Sequence, residues 1–146
     1  MARIKIGLLA LAGLMVVAQV FRIDQTNPPV EGALVAPSQI EALMRRACYD
    51  CHSNETVWPW YSNVAPVSWM VAHDVKEGRE ELNFSRWSAY DEAKKTKKLK
   101  KTAKEVAKVE MPPWYYVWAH PEARISPDEQ HVFDAWITAE IARPTH

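Results

Sequence analysis

Hydrophobic and polar positions change period several times along this chain. From Ile6 to Phe21 the residues are almost all apolar, interrupted only by Gln19, with Arg3 and Lys5 before the run and Arg22 after it. Beyond Ser38 the apolar residues Ile40, Leu43, Met44 and Ala47 recur at i, i+3, i+4 and i+7, the spacing of one buried helix face. This helix is predicted to start with Ser38 as N-cap and Glu41 as its capping-box partner, and to run into Cys48. Residues 53–66 hold Pro59 and Pro66 and show no sustained period, so they read as a long ordered loop. Pro66 suits the first turn of a second helix reaching about Leu82. A third helix is expected over residues 88–109, with Leu99, Ala103 and Val106 as a narrow apolar stripe, and Pro112-Pro113 stops it. Ser126, Pro127 and Glu129 supply the N-cap, N1 proline and capping box of a last helix containing Val132, Phe133, Trp136, Ile137 and Ile141. No internal repeat and no strand pattern is present.

These elements make an all-α fold, a bundle of about four helices behind an N-terminal apolar helix. Composition agrees, because four glycines and ten prolines suit helices joined by stiff connections better than a turn-rich β fold. A chain of 146 residues fits one domain plus an appendage. The expected divisions are 1–22 as signal or membrane anchor, 23–37 as a polar extended linker around Asn27-Pro28-Pro29 and Pro37, and 38–146 as the domain. A basic start before an apolar run is an export pattern. The run is 16 residues long, short of the ~20 that usually span a bilayer, and snorkelling of Lys5 and Arg22 makes up the difference. The segment Val17-Ala18-Gln19-Val20-Phe21-Arg22 offers no small-x-small cleavage site, so an uncleaved anchor is expected. Positive charge stays inside, which puts the domain outside the cytoplasmic membrane, in the periplasm.

The two cysteines of the chain both lie in Cys48-Tyr49-Asp50-Cys51-His52. C-x-x-C followed at once by His is the attachment signature of a c-type haem. Two thiols three residues apart at a helix end can reach the two vinyl groups of one porphyrin edge, and the adjacent imidazole then projects over the ring towards iron. A thioredoxin-like dithiol would need a βαβ context, and a zinc site a second Cys/His pair. Met111 precedes Pro112 and is thereby held extended, so its thioether can project from a loop ahead of the last helix. It is the expected sixth ligand; a His/Met pair raises the potential of the iron and suits electron transfer. His73 and His120 are the rivals, along with an open sixth position, whereas His131 and His146 read as surface or terminal residues.

Together these two signals resemble a class I cytochrome c. The chain is more similar still to a small bacterial family of haem-binding domain proteins, over about residues 27–140. The residues that carry the similarity are Cys48 to His52, Thr56-Val57-Trp58-Pro59-Trp60-Tyr61, Ala65-Pro66-Val67-Ser68-Trp69, Gly78-Arg79, Leu82-Asn83-Phe84-Ser85, Met111-Pro112-Pro113, Tyr116 and His120-Pro121. The resemblance implies an exported helical protein with one covalent haem c and leaves its physiological task open. Around that haem, Trp58, Trp60, Tyr61 and Trp69 are candidates for an aromatic wall. Arg79 is the candidate partner of the propionates, and a carbonyl between Asn63 and Pro66 is expected to take the free N–H of His52.

Charge changes the picture once more. The chain is formally neutral, yet residues 88–110 carry eight lysines, from Lys94 to Lys108, against Asp91, Glu92, Glu105 and Glu110. That basic stretch is a candidate docking site for an acidic redox partner or an anionic membrane surface. Nucleic acid is not expected, since no basic face is interleaved with aromatics. The leading expectation is a membrane-anchored monohaem cytochrome that exchanges electrons with redox proteins of the cell envelope and is no enzyme. The alternatives are a haem enzyme or a gas or redox sensor with an open site, and a haem-carrying accessory subunit of a respiratory complex.

Overall fold

The apolar stripes of three helices meet in one core. Ile40, Leu43 and Met44 of the first stripe pack with Leu99 and Val106 of the lysine-rich segment and with Phe133 and Ile137 of the last helix; Phe84, Trp87 and Leu34 complete the cluster. The computed structural model describes residues 2–143, which contain helices and turns and no strand. The α-helices are α1 (Ala2–Ala18), α2 (Ser38–Ala47), α3 (Tyr49–His52), α4 (Val67–Glu81), α5 (Glu92–Ala107), α6 (Trp114–Ala119) and α7 (Pro127–Ala142). Short 3-10 turns lie at Trp60–Asn63, Phe84–Ala89 and Pro121–Ala123. The architecture is all-α, as the periodicity requires, with more and shorter pieces than four helices. His146 lies outside the described residues.

Local chemistry sets the boundaries. Ser38 is the first helical residue rather than the cap: Pro37 holds the N-cap position without a side-chain bond, and Glu41 pairs forward with Arg45 at 2.9 Å. The first helix breaks at Cys48, where φ is −129°, so α3 is a separate short turn. The third expected helix starts at Glu92, not 88, because Asp91 accepts the Lys94 N–H as its cap and residues 84–89 form their own turn capped by Asn83. The predicted capping box of α7 is present in both directions between Ser126 and Glu129.

Residues 23–37 are extended and bound to the domain. Gln25 donates to Ser62 O at 2.8 Å, Asn27 to Thr56 O at 2.9 Å, and Leu34 N–H to Phe84 O at 2.9 Å, with the Leu34 side chain in the core. Helix α1 is apolar around its circumference and exposed along its length. Among the described residues no helix is long and apolar enough to cross a membrane.

Removing the α7 cap tests this reading of its start. Ser126→Ala should lower the unfolding free energy by about 1 kcal/mol in urea titration; an unchanged midpoint would mean that the α7 terminus is held by packing alone.

Candidate functional site

The site forms where α3 lies across α4. A Cβ at Gly78 would come within 2.5 Å of the Cys51 carbonyl oxygen and 3.0 Å of Cys51 Cβ, so only glycine lets the two helices approach this closely. The approach brings His52 Nδ1 to 2.8 Å from Gly78 O and 3.1 Å from Leu82 O. A carbonyl only accepts, so Nδ1 carries the proton and Nε2 keeps its lone pair. Burial lowers the pKa of His52 below the ordinary value, the two carbonyl bonds opposing this in part, and favours the neutral ring. The expected carbonyl between Asn63 and Pro66 is therefore corrected: the partners are carbonyls at the C-terminal end of α4, Gly78 O, which also accepts the Leu82 N–H at 2.8 Å, and the O of the C-cap residue Leu82.

Cys48, Cys51, His52 and Met111 line one cleft of about 260 Å³, partly open to solvent. Its wall is mostly apolar, from Ala47, Leu82, Phe84, Val106, Pro113 and Ile125. Burial pushes both thiols up to about 12, with Cys51 adding to the effect on Cys48 and Asp74 to that on Cys51. Met111 reaches the cleft through the turn that ends α5. Val109 adopts φ of 59°, a left-handed conformation that a β-branched residue rarely takes. Glu105 O accepts from both Glu110 and Met111 N–H, at 3.0 and 3.2 Å, which holds this turn closed and carries Met111 back over the site.

Other sequence candidates lie elsewhere. Trp58, Trp60, Tyr61 and Trp69 do not line the cleft. Trp60 is 78% exposed, and the Trp69 indole donates to Phe21 O at 2.9 Å. Arg79 does not face the cleft either. Its guanidinium donates to Ser53 O, Thr26 O, Asn27 Oδ1 and Thr56 Oγ1 at 2.8–3.0 Å, and so ties α4 to two remote loops instead of offering charge to a ligand. His73 is exposed on α4 and outside the cleft. His120 has both ring nitrogens engaged, Nδ1 with Glu122 at 3.2 Å and Nε2 with Tyr61 OH at 2.6 Å, and its ring stacks on Tyr116.

Several cleft residues were not foreseen. Asp50, inside the Cys motif, accepts from Tyr116 OH at 2.8 Å and Val57 N–H at 3.0 Å, joining α3 to α6 and to the loop. Burial and this carboxylate raise the Tyr116 phenol well above its ordinary range. Lys98 and Lys101 of α5 reach the same wall, where both bond Glu81, Lys101 at 2.7 Å to its carboxylate. Gly78 had a legible signal, a glycine inside a helical pattern that marks close packing. The lysines had none, because their charge is shared with the whole α5 surface.

A helical fold with two thiols, an oriented imidazole and a methionine on one apolar cleft has the donor set of a haem-binding protein. The chain belongs to the haem-binding domain family, whose sequence profile matches residues 13–139. No curated protein and no solved structure matches the chain.

The contact at Gly78 gives a direct test of this geometry. In Gly78→Ala the added methyl must separate α3 from α4, an overpacking of about 1–3 kcal/mol. The variant should unfold at lower urea concentration and retain less haem per chain than the parent. Equal haem content and stability would show that the close approach is not needed.

Proposed function

We propose that this chain is a bacterial monohaem c-type cytochrome, attached to the cytoplasmic membrane with its haem domain in the periplasm, and that it transfers electrons. The observation that carries the reading is the convergence of Cys48, Cys51, His52 and Met111 on one cleft, with His52 Nδ1 fixed by two carbonyls and Nε2 free. The haem, when bound, supplies a one-electron iron couple. The chain's own residues do the rest. Cys48 and Cys51 would hold the haem by thioether bonds to its two vinyl groups. His52 Nε2 would bind the iron, and its Nδ1 bonds to the Gly78 and Leu82 carbonyls would strengthen it as a ligand. Met111 would supply a second protein ligand to the iron, and the apolar wall would exclude water, both of which favour a raised potential.

With Arg79 engaged elsewhere, Lys98 and Lys101 are the cationic residues at the cleft that suit the carboxylates of a propionate pair. Lys94, Lys97, Lys100 and Lys104 of α5 are exposed and form the surface at which an acidic redox partner of the cell envelope docks. Helix α1 attaches the chain to lipid. Its 17 residues rise only about 26 Å against a hydrocarbon core of about 30 Å, a mismatch absorbed by local thinning and by Lys5 and Arg22 extending to the headgroups.

The ligand set is tested by spectroscopy. The ferric parent should show the weak near-infrared band of methionine-ligated haem, and Met111→Ala should abolish it and open the ferrous iron to carbon monoxide. Carbon monoxide binding to the untreated ferrous parent would instead establish an open site, the arrangement of a haem enzyme or sensor.

A further inference from the structure

Between Glu55 and His73 no side chain carries a charge, yet much of this stretch is on the surface. Trp60 is 78% and Val57 75% exposed, and Val64, Val67, Trp69 and Met70 are exposed as well. A neutral run containing three tryptophans, two of them exposed, is unusual for a surface that faces water alone. The same stretch is where the end of α1 is fastened. Gln19 and Ala65 bond reciprocally, side-chain amide to carbonyl at 3.1 Å and backbone N–H to side-chain oxygen at 3.0 Å. The Trp69 indole donates to Phe21 O at 2.9 Å, and Gln25 reaches Ser62. These bonds lie at the start of α4 and in the Trp60–Asn63 turn, so the exposed apolar side chains lie beside the point where the apolar helix leaves the domain.

We infer that the face formed by Trp60, Val64, Val67, Trp69 and Met70 rests on the lipid surface that α1 enters, at the boundary of headgroups and acyl chains. This inference rests on the membrane attachment proposed above. Tryptophan is the residue that favours that boundary, and the Trp69 N–H is already satisfied by Phe21, which leaves its ring faces free for lipid. Absence of charge removes the desolvation penalty that would otherwise oppose contact with lipid. Arg22, next to Phe21, lies where a guanidinium can bind headgroup phosphate. The domain is therefore held at a fixed face against the membrane and does not swing on a free tether.

The test uses the full haem-loaded chain in vesicles of phosphatidylcholine and phosphatidylglycerol. Single variants Trp60→Cys and Met70→Cys report on the face, and Val132→Cys on α7 is the comparator with exposure similar to Met70. The parent chain is the blank, and an unaltered haem spectrum checks each fold. Labelling by a membrane-impermeant maleimide, normalised to the unfolded chain, should be roughly tenfold slower at Trp60→Cys and Met70→Cys than at Val132→Cys. Flotation with the vesicles but equal labelling at all three positions would overturn the docked face and leave the attachment standing. Failure to float would overturn both. Slow labelling that disappears as protein is diluted in lipid would assign the face to a second copy of the chain and overturn the lipid contact.

Discussion

Most of the site depends on the absence of one side chain. Without a Cβ at Gly78, α3 lies against α4 at a separation that no other residue permits. The carbonyls of Gly78 in α4 and of its C-cap residue Leu82 then reach His52 Nδ1. One contact thus gives the Leu82 carbonyl a donor, fixes the imidazole tautomer and leaves Nε2 to the cleft. Because one thiol, Cys51, lies in α3 and the other, Cys48, is its N-cap residue, the same packing sets where a porphyrin edge can lie. The core formed by α2, α5 and α7 supports this arrangement from behind, and the Val109 turn brings Met111 to it from the far end of α5.

Charge is arranged on the same elements. Helix α5 is basic along its length, but its lysines do different things. Lys98 and Lys101 reach the cleft and Glu81, Lys95 pairs with Glu92 at 2.6 Å, and Lys94 sits over the Tyr90 ring. A helix that looks like one docking patch in sequence is thus divided into an inner pair suited to a bound ligand and an outer row facing solvent. The acidic residues Asp50 and Asp74 lie at the cleft too, but each accepts a tyrosine hydroxyl.

The elements with strong local signals were legible from sequence. The stripe Ile40, Leu43, Met44 and Ala47 is buried as its period requires, and the Ser126 cap starts α7. Helix α6 was not foreseen because Trp-Tyr-Tyr-Val-Trp-Ala has no polar side to set a period. Ser38 looked like a cap because its spacing to Glu41 is right, but Pro37 already ends the extended segment and Arg45 claims the carboxylate. At the site, Cys48, Cys51, His52 and Met111 were named from motif and loop chemistry alone, and the structure places all four on one cleft. Arg79 and the tryptophans do not line that cleft, because nearness to the motif in sequence says little about direction. The partners of Arg79 are 23–53 residues away, and long-range bonds of that kind leave no local trace.

The central claim is that Cys48 and Cys51 hold one haem covalently in this cleft. Treating the purified full chain with acidified organic solvent and recording its reduced spectrum in alkaline pyridine tests it most directly. The account predicts that all haem stays with the protein, one per chain, with the absorption band of a porphyrin whose two vinyl groups are saturated. Haem that extracts into the solvent, or a band typical of free vinyl groups, would contradict it.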